Sequence, residues 1–157
     1  MKFNSIDSLH TLELTISMNG DFDDDNKVQE AGISVNLQGH DISARYDILG
    51  YLRGDSQDHI AEFLEQLNSL ILNHKGRAHL KITGTDLQNY NDRSFELYLF
   101  AVDNVGHLAL QLDISGTNRS TVELPFKTKV SFEIESDSLL DAKNELQNLY
   151  SRIKLKT

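Results

Sequence analysis

The sequence predicts an α+β fold: one antiparallel meander of about seven strands with two amphipathic helices, one mid-chain and one C-terminal. Three observations predict it. Short runs of alternating apolar and polar residues recur between Gly-, Asn- and Asp-containing turns, which is the period of half-buried strands. Two stretches switch to helical spacing. The turns between strand runs are short, which favours antiparallel neighbours over long crossovers. With 157 residues the chain fits a single domain, 1–157, large enough to bury one sizeable core.

The first strand runs through Leu12, Leu14, Ile16 and Met18, alternating with Glu13, Thr15 and Ser17. Asn19-Gly20 and the acidic stretch after it read as an exposed loop. Ile33, Val35 and Leu37 form a second strand, and Gln38-Gly39-His40-Asp41 leads into a short third around Ile42 to Tyr46. Ile60, Phe63, Leu64, Leu67, Leu70 and Ile71 then fall on one helical stripe, with Asp58, Glu62, Glu65 and Gln66 outside it. Asp55 or Ser56 is placed to cap that helix, and Asn73-His74-Lys75-Gly76 to end it.

The second half is a strand series. Leu80 and Ile82 come first; Phe95, Leu97, Leu99 and Ala101 follow, with Glu96, Tyr98, Phe100 and Val102 on the other face. A strand apolar on both faces over part of its length belongs in the middle of a sheet. Leu108 to Ile114 and the run from Val122 to Ile134 complete the meander. Pro125, the one proline, lacks an N–H, so its strand is at an edge or bends there. The second helix begins near Ser136 to Ser138 and carries Leu139, Ala142, Leu146, Leu149, Tyr150 and Ile153 on one stripe. Ser138 and Asp141 fit a weak capping box.

Composition excludes several chemistries. There is no cysteine, so disulfide frameworks, thiol nucleophiles, Cys-based zinc sites and iron–sulfur clusters are ruled out. No apolar run approaches the ~20 residues of a membrane helix, and the N-terminus lacks the basic-then-apolar pattern of a signal peptide. The expectation is a soluble, cytoplasmic protein. The net charge is −9, which argues against nonspecific nucleic-acid binding. That charge is uneven: residues 1–72 hold 13 acids and 4 bases, residues 73–157 hold 11 of each. Its densest part is Asp21, Asp23, Asp24, Asp25 and Glu30.

Motifs do not name a reaction. Asp21 to Asn26 imitates the start of a calcium loop, but the required Gly and Glu positions hold Asn26 and Gly32, so an EF-hand is rejected. The six histidines, His10, His40, His59, His74, His79 and His107, form no zinc motif. His74 and His79 straddle the predicted helix end and would not share a helical face, and His107 reads as an exposed or hydrogen-bonded turn histidine. GxSxG, Walker A and GxGxxG elements are absent. Glu133 with Glu135, and Glu62 with Glu65, read as surface pairs. Tyr98 and Phe100 are better explained by core packing than by RNA stacking, which needs a basic, glycine-rich context. Catalytic residues, a metal site and a cofactor are therefore not expected.

The order of elements resembles the WapI-like immunity proteins, a bacterial family that protects cells against a cognate polymorphic toxin. The residues that carry the resemblance are Gly32 to Val35, the helix Ile60 to Ile71, Ala78-His79-Leu80, Phe95 to Leu99, Asn104-Val105-Gly106-His107-Leu108, and Phe132 to Leu139. The chain has no tryptophan, which members often carry ahead of the second strand. The resemblance implies a non-enzymatic protein that binds a toxin, and it transfers no catalytic residue. A nuclease toxin presents a cationic cleft, and a concentrated negative patch is steered to such a cleft. Asp21, Asp23, Asp24, Asp25 and Glu30, joined by Glu62 and Glu65, are the candidate partner-binding residues. Neither nucleic acid nor membrane is an expected partner. A solvated loop that only aids solubility, a small-ligand-binding protein or enzyme with a motif-free site on the sheet, and a housekeeping interaction subunit stand as alternatives.

Overall fold

The computed structural model describes residues 1–18, 30–51, 53–54, 57–86, 91–119 and 123–154. In chain order the elements are β1 (Lys2–Asn4), β2 (His10–Met18), β3 (Glu30–Gly39), β4 (Ser43–Tyr51), β5 (Arg53–Gly54), β6 (Gln57–Asp58), α1 (His59–Asn73), β7 (Arg77–Asp86), β8 (Asp92–Ala101), β9 (Leu108–Arg119), β10 (Glu123–Ile134) and α2 (Ser136–Lys154). The predicted α+β class is what the chain adopts. Eight strands form one antiparallel sheet in the order β1-β2-β3-β4-β7-β8-β9-β10, and β5 pairs β6 in a small hairpin.

The sheet coils until its two end strands touch. Ser5, just past β1, bridges Ile134 at the end of β10, and the Ile6 N–H donates to the Glu133 carbonyl at 3.1 Å. Coiling turns one face inward, and the period-2 alternation fills it. Leu80, Leu97, Leu112 and Val130 stand opposite one another across four strands; Ile82, Phe95, Ile114 and Thr128 form the next row. Leu12, Leu14, Ile33, Val35, Leu37 and Ile48 supply the other half of this core. Full burial of each such aliphatic side chain contributes about 1.5–3 kcal/mol.

A third row explains where the coil is tightest. Gly50, Gly84, Arg93, Gly116 and Phe126 are consecutive cross-strand partners over five strands. A Cβ at Gly84 would lie 1.9 Å from the Leu49 carbonyl oxygen, and one at Gly116 1.9 Å from that of Asp92. Backbone occupies the space a side chain would need. Arg93 lies across Gly116, with its guanidinium carbon 5.0 Å from the Phe126 ring centre. It donates to the carbonyl of Thr117 and to Asn118 Oδ1, both at 2.9 Å, and pairs with Asp86 at 3.1 Å. Nearby, the Tyr46 and Thr128 hydroxyls meet at 2.7 Å, tying β4 to β10 across the interior.

The helices close what the sheet leaves open. β4 pairs β7 only over Ile48–Tyr51 with Thr83–Asp86, so the start of β7 has no strand on that side. α1 lies there: Gln66 Oε1 accepts the His79 N–H at 2.8 Å, satisfying a donor that a strand would otherwise take. Ile60, Phe63, Leu67 and Leu70 are buried, with Leu64 and Ile71 packed at the margin, as the spacing predicts. α1 begins at His59, so the residue before it is Asp58; the predicted caps Asp55 and Ser56 lie outside the described residues. It ends with His74 and Gly76 at φ of 50° and 92°, the left-handed exit that the glycine anticipates. α2 buries Leu139, Ala142 and Leu146 and reaches α1 through Lys143 Nζ, which donates to Asn68 Oδ1 at 2.6 Å.

Three details differ from the sequence reading. β1 and the β5–β6 hairpin were not anticipated, because two or three residues are too few for a period to show. β4 continues to Tyr51 instead of ending near Tyr46. Tyr98 and Phe100 are not in the core: both point to the outer face and are half-buried. Pro125 sits on β10, the last strand in the order, as its missing N–H requires.

Candidate functional site

The predicted partner-binding residues divide between described and undescribed chain. Asp21, Asp23, Asp24 and Asp25 lie outside the described residues. Glu30 opens β3, where its backbone pairs with Tyr51. Glu62 and Glu65 are exposed on α1, on the side turned away from the core. Glu62 accepts a 3.3 Å bond from Gln66 Nε2, one turn along the helix.

The fold adds acids that the half-by-half charge count hid. Asp137, Asp141 and Glu145 are exposed at i, i+4 and i+8 on α2, which packs on α1. α2 is charge-balanced as a whole, since Lys143, Arg152 and Lys154 belong to the same helix, but its charges are ordered along it: Asp137, Asp141 and Glu145 come in its first half and Arg152 and Lys154 at its end. Among the described side chains of the two helices, Lys143 is the one base, and it is engaged by Asn68. Alternation sends the strand bases Arg77, Lys81, Lys127 and Lys129 to the outer sheet face together with Glu96, Asp113 and Glu133, and helical spacing sends Glu62, Glu65, Asp137, Asp141 and Glu145 to the helix surface. The exposed side of α1 and the first half of α2 are therefore acidic.

The outer face of the sheet holds a second constellation. Glu96 on β8 accepts from the Tyr98 hydroxyl and from His79 Nε2 at 2.9 Å, with Lys81 Nζ 3.5 Å away. The His79 and Tyr98 rings stack at 4.2 Å and 9°, and the Arg77 guanidinium lies 4.5 Å above the Tyr98 ring centre. Partial burial pushes the Glu96 carboxyl up, but the Tyr98 and His79 hydrogen bonds and the Lys81 charge outweigh it, leaving it below the ordinary carboxylate range. The bond to Glu96, with some burial, pushes the Tyr98 hydroxyl up. Both shifts move away from neutral pH, so this pair is not poised for acid–base exchange near pH 7. It is a polar-aromatic platform built on paired β7 and β8. The sequence held its signal in parity: Tyr98 shares a face with Glu96, not with Leu97.

The histidines that the sequence singled out serve separate local roles. His74 ends α1, His79 is bound by Glu96, and His107 closes a turn through a 2.5 Å contact from Nδ1 to Asp103 Oδ2. Among the described residues no three His, Asp or Glu side chains converge on a position that could hold a metal ion. A groove of about 270 Å³ lies between β2 and α2, lined by Met1, Leu14, Ile16, Leu146 and Leu149 with Glu145 and Asn148. Glu145, its one carboxylate, accepts from the Met1 amine at 2.8 Å.

Fold and surface define an α+β domain with a coiled antiparallel sheet, a cluster of acids on its two helices and a polar-aromatic outer sheet face. No family model, curated protein or solved structure matches this chain. No helix among the described residues is long and apolar enough to cross a membrane.

Proposed function

We propose that this chain is a non-enzymatic binding protein of the immunity type, which neutralises a cognate bacterial toxin in the cytoplasm by direct contact. The observation that carries the reading is a local cluster of acids. Glu62, Glu65, Asp137, Asp141 and Glu145 project from adjoining helices, and the chain's densest acidic stretch lies in its first half. Such a surface accelerates encounter with a cationic partner and repels acidic ones. The partner is a basic protein domain, with a nuclease toxin as the leading class. The resemblance of the element order to WapI-like immunity proteins supports the same reading.

The experiment is to express the tagged protein in its native host, identify what co-purifies, and measure its association rate against salt. Wild type and the Asp23→Lys, Asp24→Lys, Asp25→Lys triple variant are compared. A basic toxin fragment, bound with a steep salt dependence that the triple variant flattens, is the expected result. An unchanged rate and salt slope in the variant, or a small metabolite as the retained species, refutes the proposal.

A further inference from the structure

Among the described residues, six of the seven large apolar side chains that are substantially exposed, Ile6, Leu9, Leu72, Val102, Val105 and Leu140, belong to segments at the end of the sheet where β10 hands over to α2. Leu124 is the seventh. Two turns form the centre of this end: residues 5–9, between β1 and β2, and residues 102–107, between β8 and β9. Glu133 stands between them. Its carbonyl accepts the Ile6 N–H at 3.1 Å, and its carboxylate helps to raise the basicity of His107 in the other turn.

Each turn is braced by an aspartate. Asp7 Oδ1 accepts from the Ser5 hydroxyl at 2.5 Å and from the Leu9 N–H at 3.0 Å. Asp103 Oδ1 accepts from the Val105 N–H at 2.9 Å and the His107 N–H at 3.2 Å, while its Oδ2 meets the His107 ring. Exposed apolar side chains, with Val105 84% exposed, thus stand on pre-organised turns. Ordering a loop on binding costs free energy that a braced turn does not lose. The charged groups around these tips are Asp7, Asp103, Glu133, Glu135 and Asp137, against His74, Lys75, Arg77 and His107.

We propose that this end is a docking surface for a protein partner with an apolar centre and a cationic rim. The inference rests on the reading of the chain as a protein-binding domain and separates two steps: steering by acids, retention by apolar tips. The acidic rim selects a basic partner and repels a second copy of this chain.

The probe is a synthetic amphipathic helical peptide of leucine and lysine, titrated into the isotopically labelled full chain and followed by amide NMR. Saturable shifts at Ile6, Leu9, Val102 and Val105 are expected, and Val105→Asp and Leu9→Asp should each weaken binding about tenfold. Val105→Ser, which adds no charge, guards against a folding artefact and should weaken it in the same direction. Shifts confined to α1 and α2, equal binding of a leucine–glutamate peptide, or an unliganded dimer that protects these same amides would each overturn the proposal. A toxin that fails to co-purify bears on the proposed function and leaves this measurement unaffected.

Discussion

Replacing Gly84 by alanine tests the tight coil directly. The added Cβ would sit 1.9 Å from the Leu49 oxygen, 2.6 Å from the Gly50 Cα and 2.7 Å from the Leu49 carbonyl carbon. All three obstacles are backbone, so no side chain can rotate away. Relief requires the β4 backbone to retreat by roughly 1 Å, at a junction where β4 and β7 share only four register pairs. Overpacking of this kind costs about 1–3 kcal/mol, and the strained ladder bonds place Gly84→Ala at the upper end, about 3 kcal/mol. Gly76 is the control: a Cβ there meets nothing, and the cost is only that of a side chain at a φ of 92°, about 1 kcal/mol. Urea unfolding followed by circular dichroism reads both, with Gly84→Ala shifting the midpoint well beyond Gly76→Ala. In a chain of this size 3 kcal/mol lowers Tm by roughly 6–12 °C. A Gly84→Ala variant within about 0.5 kcal/mol of wild type would refute the close approach of β4 and β7.

Three further outcomes follow from named contacts. Arg93→Met removes one partner of Asp86, together with the guanidinium's bonds to Thr117 and Asn118; a loss of about 2–3 kcal/mol is expected by urea unfolding, smaller when Asp86→Asn is already present. Tyr98→Phe removes one donor to Glu96; the Glu96 carboxyl should titrate closer to its ordinary value by carbon-detected NMR, with stability lowered by no more than about 1 kcal/mol. The bond to Asp103, its charge and that of Glu133 raise His107 above 6.5. Its contribution to the turn is complete below pH 6.5 and fades as pH rises through the higher folded value. Asp103→Asn should bring the His107 titration down and speed exchange of the Val105 and His107 amides.

Much of the fold was legible because it rests on period. Leu12-Leu14-Ile16, Phe95-Leu97-Leu99 and the Ile60-to-Ile71 stripe all face the core as their spacing requires. What escaped is non-local. The row of Gly50, Gly84, Arg93, Gly116 and Phe126 is invisible until register aligns five strands. Three-residue β1 offers one inward apolar side chain, Phe3, and so no period. The acids of α2 were cancelled in the count by Lys143, Arg152 and Lys154 of the same helix, so their crowding into its first half did not show. Glu62 and Glu65 were placed correctly on a solvent face by helical spacing alone. The Glu96–Tyr98–His79 platform needed β7 and β8 to be paired before it could be seen.

If acids on this chain guide a basic protein partner to it, association must depend on those acids and on salt. The measurement that bears on it most directly is the association rate with the co-purified partner, followed over a range of ionic strength, for wild type and for a Glu62→Lys, Glu65→Lys variant. In the wild type the rate should fall steeply with salt, and in the variant it should be lower with a shallower slope. A rate insensitive to salt, or identical in the two proteins, would contradict it.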